Sequence, residues 1–270
     1  TEASYGQPEK TYPLRILVCT ECWLVQTEDF AEAHELFNSE YAYFSGISTS
    51  WLEHSERYVK ETIERFSLDS TSCVIEVAAN DGYLLQYVKE AGIPCIGVEP
   101  TASTAASARD KGIPIVEEFF GINLAKEFVQ NGTAADLTVA NNVLAHVPDI
   151  NDFVSGFTQL LKPNGVSTFE FPHLLRLLDE SQFDTIYHEH FSYLSLTAVD
   201  RIFEKNDLHV FDVQELPTHG GSLRVFAQRA DTGTHPRTTT VSKMLATEEK
   251  YGLSSSGGYS GFQAKSDLIK

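Results

Sequence analysis

The chain has 270 residues, room for one large α/β domain with appendages. Its 42 % hydrophobic and 21 % charged residues predict a folded core rather than disorder. Twenty Lys and Arg against 38 Asp and Glu leave a net charge of −18, without the basic footprint that duplex nucleic-acid binding requires. No apolar run approaches a membrane span, the start TEASYGQPEK lacks the marks of a secretion signal, and four cysteines are too few for a disulfide scaffold. A cytoplasmic protein is expected.

Leu14 to Val18 predicts a strand, Cys19-Thr20-Glu21-Cys22 a turn, and Trp23 to Gln26 a second strand. Cys-x-x-Cys at a hairpin turn aims two thiolates at one point and makes half of a zinc ribbon. A tetrahedral site needs four ligands, and Cys73 and Cys95 fall in predicted buried strands. Two readings stand: ordinary free thiols, or a knuckle in which Cys19 and Cys22 are the metal ligands left after loss of their mates. A thioredoxin-type motif is disfavoured, because the pair does not lead from a strand into a helix. Residues 48–66 read as a helix that Ser48 or Ser50 could cap, with Trp51, Tyr58, Ile63 and Phe66 as its apolar stripe.

From Cys73 the rhythm is strand, helix, strand, helix. Strands are read at 73–78, 95–99, 113–117, 136–140 and 165–171, and helices at 83–91, 101–111, 122–130 and 150–161. Continuous apolar strands between amphipathic helices imply a parallel sheet covered on both faces. Leu208 to Leu216 and Ser222 to Arg229 follow as strands joined so briefly that they must be antiparallel. Beyond residue 230, Ser254 to Gly258 reads as loop.

In such a sheet a ligand lies beyond the carboxyl ends of the strands. The first end is Glu76-Val77-Ala78-Ala79-Asn80-Asp81-Gly82, with small residues and one glycine that let the backbone approach a ligand. A dinucleotide cradle wants G-x-G-x-x-G, so a nicotinamide oxidoreductase fits poorly. The acidic Glu76 suits a cationic, amino-acid-bearing ligand. The second strand ends at Glu99-Pro100, where a carboxylate can accept both ribose hydroxyls. The third ends near Phe119, placed to stack on a base, and the fourth at Asn141-Asn142, polar residues that need partners.

The segments VIEVAANDGYLL, GVEP, ANNVLAHVPD, LLKPNGVSTFEFPH, FDTIYHEHFSYLS and HGGSLRVFA resemble the class I S-adenosylmethionine-dependent methyltransferases. In particular they are similar to the C-methyltransferases of nucleotide-linked keto-sugars, over roughly residues 12–230. That resemblance implies a Rossmann-like seven-stranded, mostly parallel sheet with an antiparallel terminal hairpin. It divides the chain into a zinc-ribbon-like remnant (1–28), a helical connection contributing to the substrate site (29–66), a cofactor domain (67–230), and a linker or the start of an incomplete domain (231–270). S-adenosylmethionine is the implied cofactor, on Glu76, Ala78, Asn80, Gly82, Glu99, Pro100, Phe119, Asn141 and Asn142, with structural zinc at the half site.

Tyr187-His188-Glu189-His190 lacks the H-E-x-x-H spacing of a zinc protease. Read as an extended segment, it sends His188 and His190 to one side and Glu189 to the other. The chemistry expected is acid–base: imidazole removes the proton beside a ketone, and the enolate takes a methyl group. The resemblance places the base on His190, with Glu189 and Tyr187 beside it and His146 near the sugar. It puts Tyr41 on the diphosphate; His219-Gly220-Gly221-Ser222 either closes the sugar pocket or is a simple hairpin turn. His188 and Phe171-Pro172-His173 occupy positions that vary among relatives. The expected partner is a small nucleotide-sugar, not nucleic acid or membrane; the sequence does not set the oligomeric state. The alternatives are an O- or N-methyltransferase on another metabolite, and a noncatalytic S-adenosylmethionine-binding module.

Overall fold

The computed structural model describes residues 12–28 and 43–269. Tyr41 lies outside the described residues. Among those described, ten strands form two sheets. The small sheet begins with the hairpin of β1 (Ile16–Val18) and β2 (Val25–Thr27), paired antiparallel about the cysteine turn. Then come the helix α1 (Thr49–Phe66), β3 (Val74–Val77), α2 (Leu85–Glu90), β4 (Cys95–Val98), α3 (Ala102–Asp110) and β5 (Ile115–Val116). Next are α4 (Ile122–Gln130), β6 (Ala135–Asn141), α5 (Ile150–Leu160), β7 (Leu161–Pro172) and α6 (Leu174–Glu180). The chain continues through β8 (Ser192–Tyr193), α7 (Leu196–Lys205), β9 (Leu208–Leu216), β10 (Ser222–Arg229), α8 (Thr239–Tyr251) and α9 (Phe262–Ile269).

The large sheet runs β5-β4-β3-β6-β7-β10-β9. Its first five strands pair in parallel, and β7–β10 and β10–β9 pair antiparallel. This is the seven-stranded, mostly parallel architecture with an antiparallel terminal hairpin that the sequence predicts. The parallel strands are buried on both faces, which is why they read as unbroken apolar runs. On one face Tyr58 and Val59 of α1 and Leu85 and Val88 of α2 form a core with Val139 and Phe226. On the other, Phe157 of α5, Phe203 of α7 and Val241 and Met244 of α8 pack against Phe169 and Val225. Strand alternation divides the faces: in β10, Val225 points to one core and Phe226 to the other.

Ser48 caps α1, its hydroxyl accepting the Trp51 amide at 3.4 Å. The strand order reverses between β3 and β4 on one side and β6 and β7 on the other, so the carboxyl ends of β3 and β6 diverge and leave a crevice. Into it β8 brings the segment after Tyr187, because β8 pairs with β2 and completes the small sheet (Val25 with Tyr193, Gln26 with Ser192). The 231–270 stretch, read as loop around 254–258, carries α8 and α9, with Val241, Met244 and Glu248 of α8 buried.

Candidate active site

A cavity of about 670 Å³ opens at the carboxyl ends of the parallel strands, within the usual range for a small-molecule site. Ala78, Asn80, Glu99, Pro100, Phe119, Asn141 and Asn142 line one part of its wall, and His146, Tyr187, Glu189, His190 and His219 line another. Of the expected residues, Glu76, Gly82 and Gly220 are not on the wall.

Glu76 is fully buried in β3, and neither carboxylate oxygen has a hydrogen-bond partner. Burial, eased by the neighbouring Tyr83 hydroxyl and reinforced by the Glu99 charge, pushes its carboxyl well above the ordinary range. It stands behind the residues that line the cavity. Gly82 has φ +75°, and a Cβ there would lie 2.4 Å from Ile113 Cδ1 and 3.2 Å from Ala108 Cβ. It therefore lets the first loop close against α3 and the segment just before β5.

Glu99 sits at the end of β4 with one oxygen accepting the Asn80 amide and the other the Thr101 amide, both at 2.9 Å. Each oxygen keeps a further lone pair, enough for a vicinal diol. Asn80, in left-handed backbone with φ 49°, is spent on the protein: Oδ1 accepts from Ser45 and Asp81, and Nδ2 donates to the Tyr43 carbonyl. It ties residues 43–46 down over the first loop. Asn141 and Asn142 each keep a buried Oδ1 with no partner. Phe119 is 53 % exposed, so it is a ring at the cavity edge and not core.

The Tyr187–His190 segment is a turn, closed by the His190 amide donating to the Tyr187 carbonyl at 3.1 Å. The expected extended alternation is therefore wrong. His188 points away, 3.1 Å from the Pro13 carbonyl, while His190 turns into the cavity. His190 Nδ1 donates to the Thr185 carbonyl at 2.9 Å, which leaves Nε2 to accept the Tyr187 hydroxyl at 3.0 Å. His146 Nδ1 likewise donates to the Glu189 carbonyl, at 2.9 Å, and its ring meets His190 edge-on at 4.7 Å. Burial lowers both imidazoles, His146 to about 4, with the His190 charge adding to the effect. Both are neutral near pH 7. Burial pushes the Glu189 carboxyl up. The amino-terminal hairpin supports the turn, since Thr27 Oγ1 donates to the His190 carbonyl and the Thr27 amide to that of Phe191.

His219 holds a left-handed backbone (φ 51°) at the hairpin tip, its ring 5.2 Å from Trp51 and edge-on to it. Behind that pair lies a buried cluster absent from the sequence reading. His54 Nε2 is 2.9 and 3.0 Å from the Glu170 oxygens, Arg224 donates to Glu170 at 2.7 Å, and Thr218 Oγ1 donates to it at 3.1 Å. Burial pushes Glu170 up, but His54 and Arg224 more than offset it and hold the carboxyl below its usual value. Glu170 and Arg224 are register partners on β7 and β10. Charges of opposite sign set inside apolar runs, Glu170 between Phe169 and Phe171 and Arg224 between Leu223 and Val225, were the available signal.

The cysteine turn forms as a hairpin, with the Trp23 amide donating to the Cys19 carbonyl at 3.0 Å. Backbone hydrogen bonds from Cys22 and Glu21 lower the Cys19 thiol, and burial raises Cys22. Two thiols fit two of four zinc positions; among the described residues no group of three or more His, Cys, Asp or Glu could hold a metal. Nor, among those residues, is any helix long and apolar enough to cross a membrane.

A family model described as a methyltransferase domain matches residues 51–213. The chain belongs to this methyltransferase family. Further models match residues 217–270, described as a C-methyltransferase C-terminal domain, and residues 1–37, with a description that names zinc binding. The methyltransferase chain is 34 % identical over 262 residues to C-methyltransferase NovU of Streptomyces niveus, covering 97 % of this chain and 62 % of that protein. It thus spans less than two thirds of that relative's length. Among solved structures, magnesium protoporphyrin IX methyltransferase of Synechocystis PCC 6803 with bound SAM superposes with a TM-score of 0.51 at 15 % identity, over 73 % of this chain and 88 % of that one. A Pyrococcus horikoshii OT3 protein gives 0.55 at 14 % identity, over 74 % and 99 %. At such identities the likeness is one of fold.

The methyltransferase cavity fits S-adenosylmethionine on its own chemistry. The orphaned Asn141 and Asn142 oxygens could accept from an ammonium or amine, the spare Glu99 lone pairs from a vicinal diol, and the exposed face of Phe119 could stack on a base.

Proposed function

We propose that this chain is an S-adenosylmethionine-dependent C-methyltransferase of a nucleotide-linked keto-deoxysugar, with His190 as the base. The observation that carries the reading is the state of His190: half-buried on the cavity wall, its pKa lowered, and locked by the Thr185 carbonyl into the tautomer whose Nε2 bears the lone pair. A base with a lowered pKa gives up part of its intrinsic basicity but is more fully in its unprotonated form at neutral pH.

S-adenosylmethionine supplies an electrophilic methyl group on a sulfonium. The protein's part is to hold the sugar with the carbon beside its ketone facing that methyl, and to take the proton from that carbon. His190 Nε2 accepts the proton and the C–H electron pair passes into the enolate; its carbon would take the methyl group as the sulfonium S–C bond breaks and S-adenosylhomocysteine leaves with that electron pair. Tyr187, which donates to Nε2 in the arrangement described, holds the place the substrate proton takes and hydrogen-bonds the sugar once displaced. His146 offers a neutral imidazole to the sugar oxygens, and Glu189 a half-buried carboxyl to a sugar hydroxyl. NovU's description as a C-methyltransferase supports carbon as the methylated atom. Tyr41 is assigned to the diphosphate, and Cys19 and Cys22 to the half site of a structural zinc.

His190→Ala should bind S-adenosylmethionine with unchanged affinity by calorimetry, while methyl transfer falls by roughly 10²–10⁴-fold, the range of a lost general base. Full turnover in that variant would remove His190 from the reaction.

A further inference from the structure

Glu248 on α8 is fully buried, and its carboxylate's hydrogen-bond partners lie 51 to 75 residues away along the chain. Its Oε1 accepts from the Leu196 amide at 2.6 Å and from His173 Nε2 at 2.8 Å. Its Oε2 accepts from the Thr197 amide at 2.7 Å and the Thr197 hydroxyl at 2.6 Å. With the Ser195 hydroxyl accepting the Ala198 amide at 3.1 Å, the first-turn amides of α7 are satisfied, two of them by a carboxylate from another helix. The two amides can only donate, and they pin both oxygens in place as acceptors.

That geometry fixes a third cavity imidazole. His173 follows β7 directly, is 3 % exposed, and forms part of the cavity wall. Its amide donates to the Gly221 carbonyl at 3.0 Å, and the next amide, Leu174, to Leu194 at 2.9 Å. The ring is thus held between the His219-bearing hairpin and β8. Opposite a Glu248 carboxylate, Nε2 carries the proton, and in the neutral ring Nδ1 bears the lone pair. Capping α7 requires Glu248 but no imidazole, so the ring's place at the cavity is unexplained by the cap. His146 and His190 are set the other way, with Nδ1 donating to backbone carbonyls.

We infer that His173 is a substrate-recognition residue, its tautomer set by Glu248 so that Nδ1 accepts a hydrogen bond from a sugar hydroxyl. Glu248 acts through it as a positioning residue. The inference rests on the keto-sugar reading above.

The test joins spectroscopy to kinetics on the full chain. In protein loaded with S-adenosylhomocysteine at pH 7, long-range proton–nitrogen NMR should find His173 protonated at Nε2 and bare at Nδ1, and Glu248→Gln should abolish that single tautomer. An Nδ1–H ring or a charged ring in the wild type overturns the inference. With 4-keto-6-deoxyhexoses linked to thymidine or uridine diphosphate, His173→Phe should raise the sugar KM about three- to tenfold, the worth of one neutral hydrogen bond. The loss should fall on KM rather than kcat, with S-adenosylhomocysteine affinity retained. An unmoved KM overturns it, as does a fall in cofactor affinity and melting temperature in step with activity, the mark of packing alone. If the wild type methylates none of these sugars, the parent reading fails and recognition by His173 falls with it, whatever the tautomer.

Discussion

Burial holds the His146 imidazole neutral, and the cost appears as stability that depends on pH. Its pKa is lowered from 6.5 to about 4, a gap equivalent to about 3 kcal/mol at 1.36 kcal/mol per unit. The unfolded chain takes up this proton below pH 6.5, whereas the folded chain does not until about pH 4. The unfolded state therefore binds more protons throughout that window, and stability falls as pH drops through it. By pH 5 roughly 2 kcal/mol of the His146 contribution should be gone. His146→Gln binds no proton in either state. Urea unfolding of both proteins at pH 7 and pH 5 isolates the imidazole, since His190, His219 and the carboxylates titrate in each. The wild type should lose about 2 kcal/mol more than the variant over that span. Parallel losses would mean that the ring is not held neutral by burial, and the picture of uncharged imidazoles at the cavity would fail with it.

Other consequences follow from packing. Arg224→Met leaves the buried Glu170 carboxylate with His54 and Thr218 alone, and should cost about 3–5 kcal/mol in urea unfolding. Adding Glu170→Gln should recover part of that loss; a double variant no more stable than the single would remove the buried pair as the cause. Gly82→Ala puts a Cβ into Ile113 at φ +75° and should cost roughly 2 kcal/mol or more through strain and overpacking. S-adenosylmethionine affinity should weaken less than stability, because Gly82 does not face the cavity; a calorimetric loss without any loss of melting temperature would put that glycine back at the ligand.

The sheet was legible because its parallel strands are buried on both faces: Val74-Ile75 and Leu137 to Ala140 can only be interior, and amphipathic helices separate them. The cavity end was legible for a related reason, since polar Glu99, Asn141 and Asn142 stop apolar strands where a parallel sheet places its crevice. The alternation argument failed at Tyr187–His190, where the chain turns instead of extending, and a turn of four polar and aromatic residues carries no periodicity to expose it. Helix α7 went unread although Ser195 stands before the stripe Leu196, Val199, Ile202 and Phe203, a cap followed by a helical repeat. Contacts such as His54 with Glu170 and His173 with Glu248 join residues 116 and 75 apart. Only topology brings them together, so one chain read locally could not pair them.

The proton step itself is open to direct observation. Incubating the chain in deuterium oxide with a nucleotide-linked keto-deoxysugar and S-adenosylhomocysteine, without a methyl donor, allows the base to act alone. Mass spectrometry should find one deuterium entering beside the ketone with wild-type protein, and only the background rate with His190→Ala. Exchange at equal rates in both, or none in a wild type that still transfers methyl groups, would contradict the assignment of His190 as the group that makes the enolate.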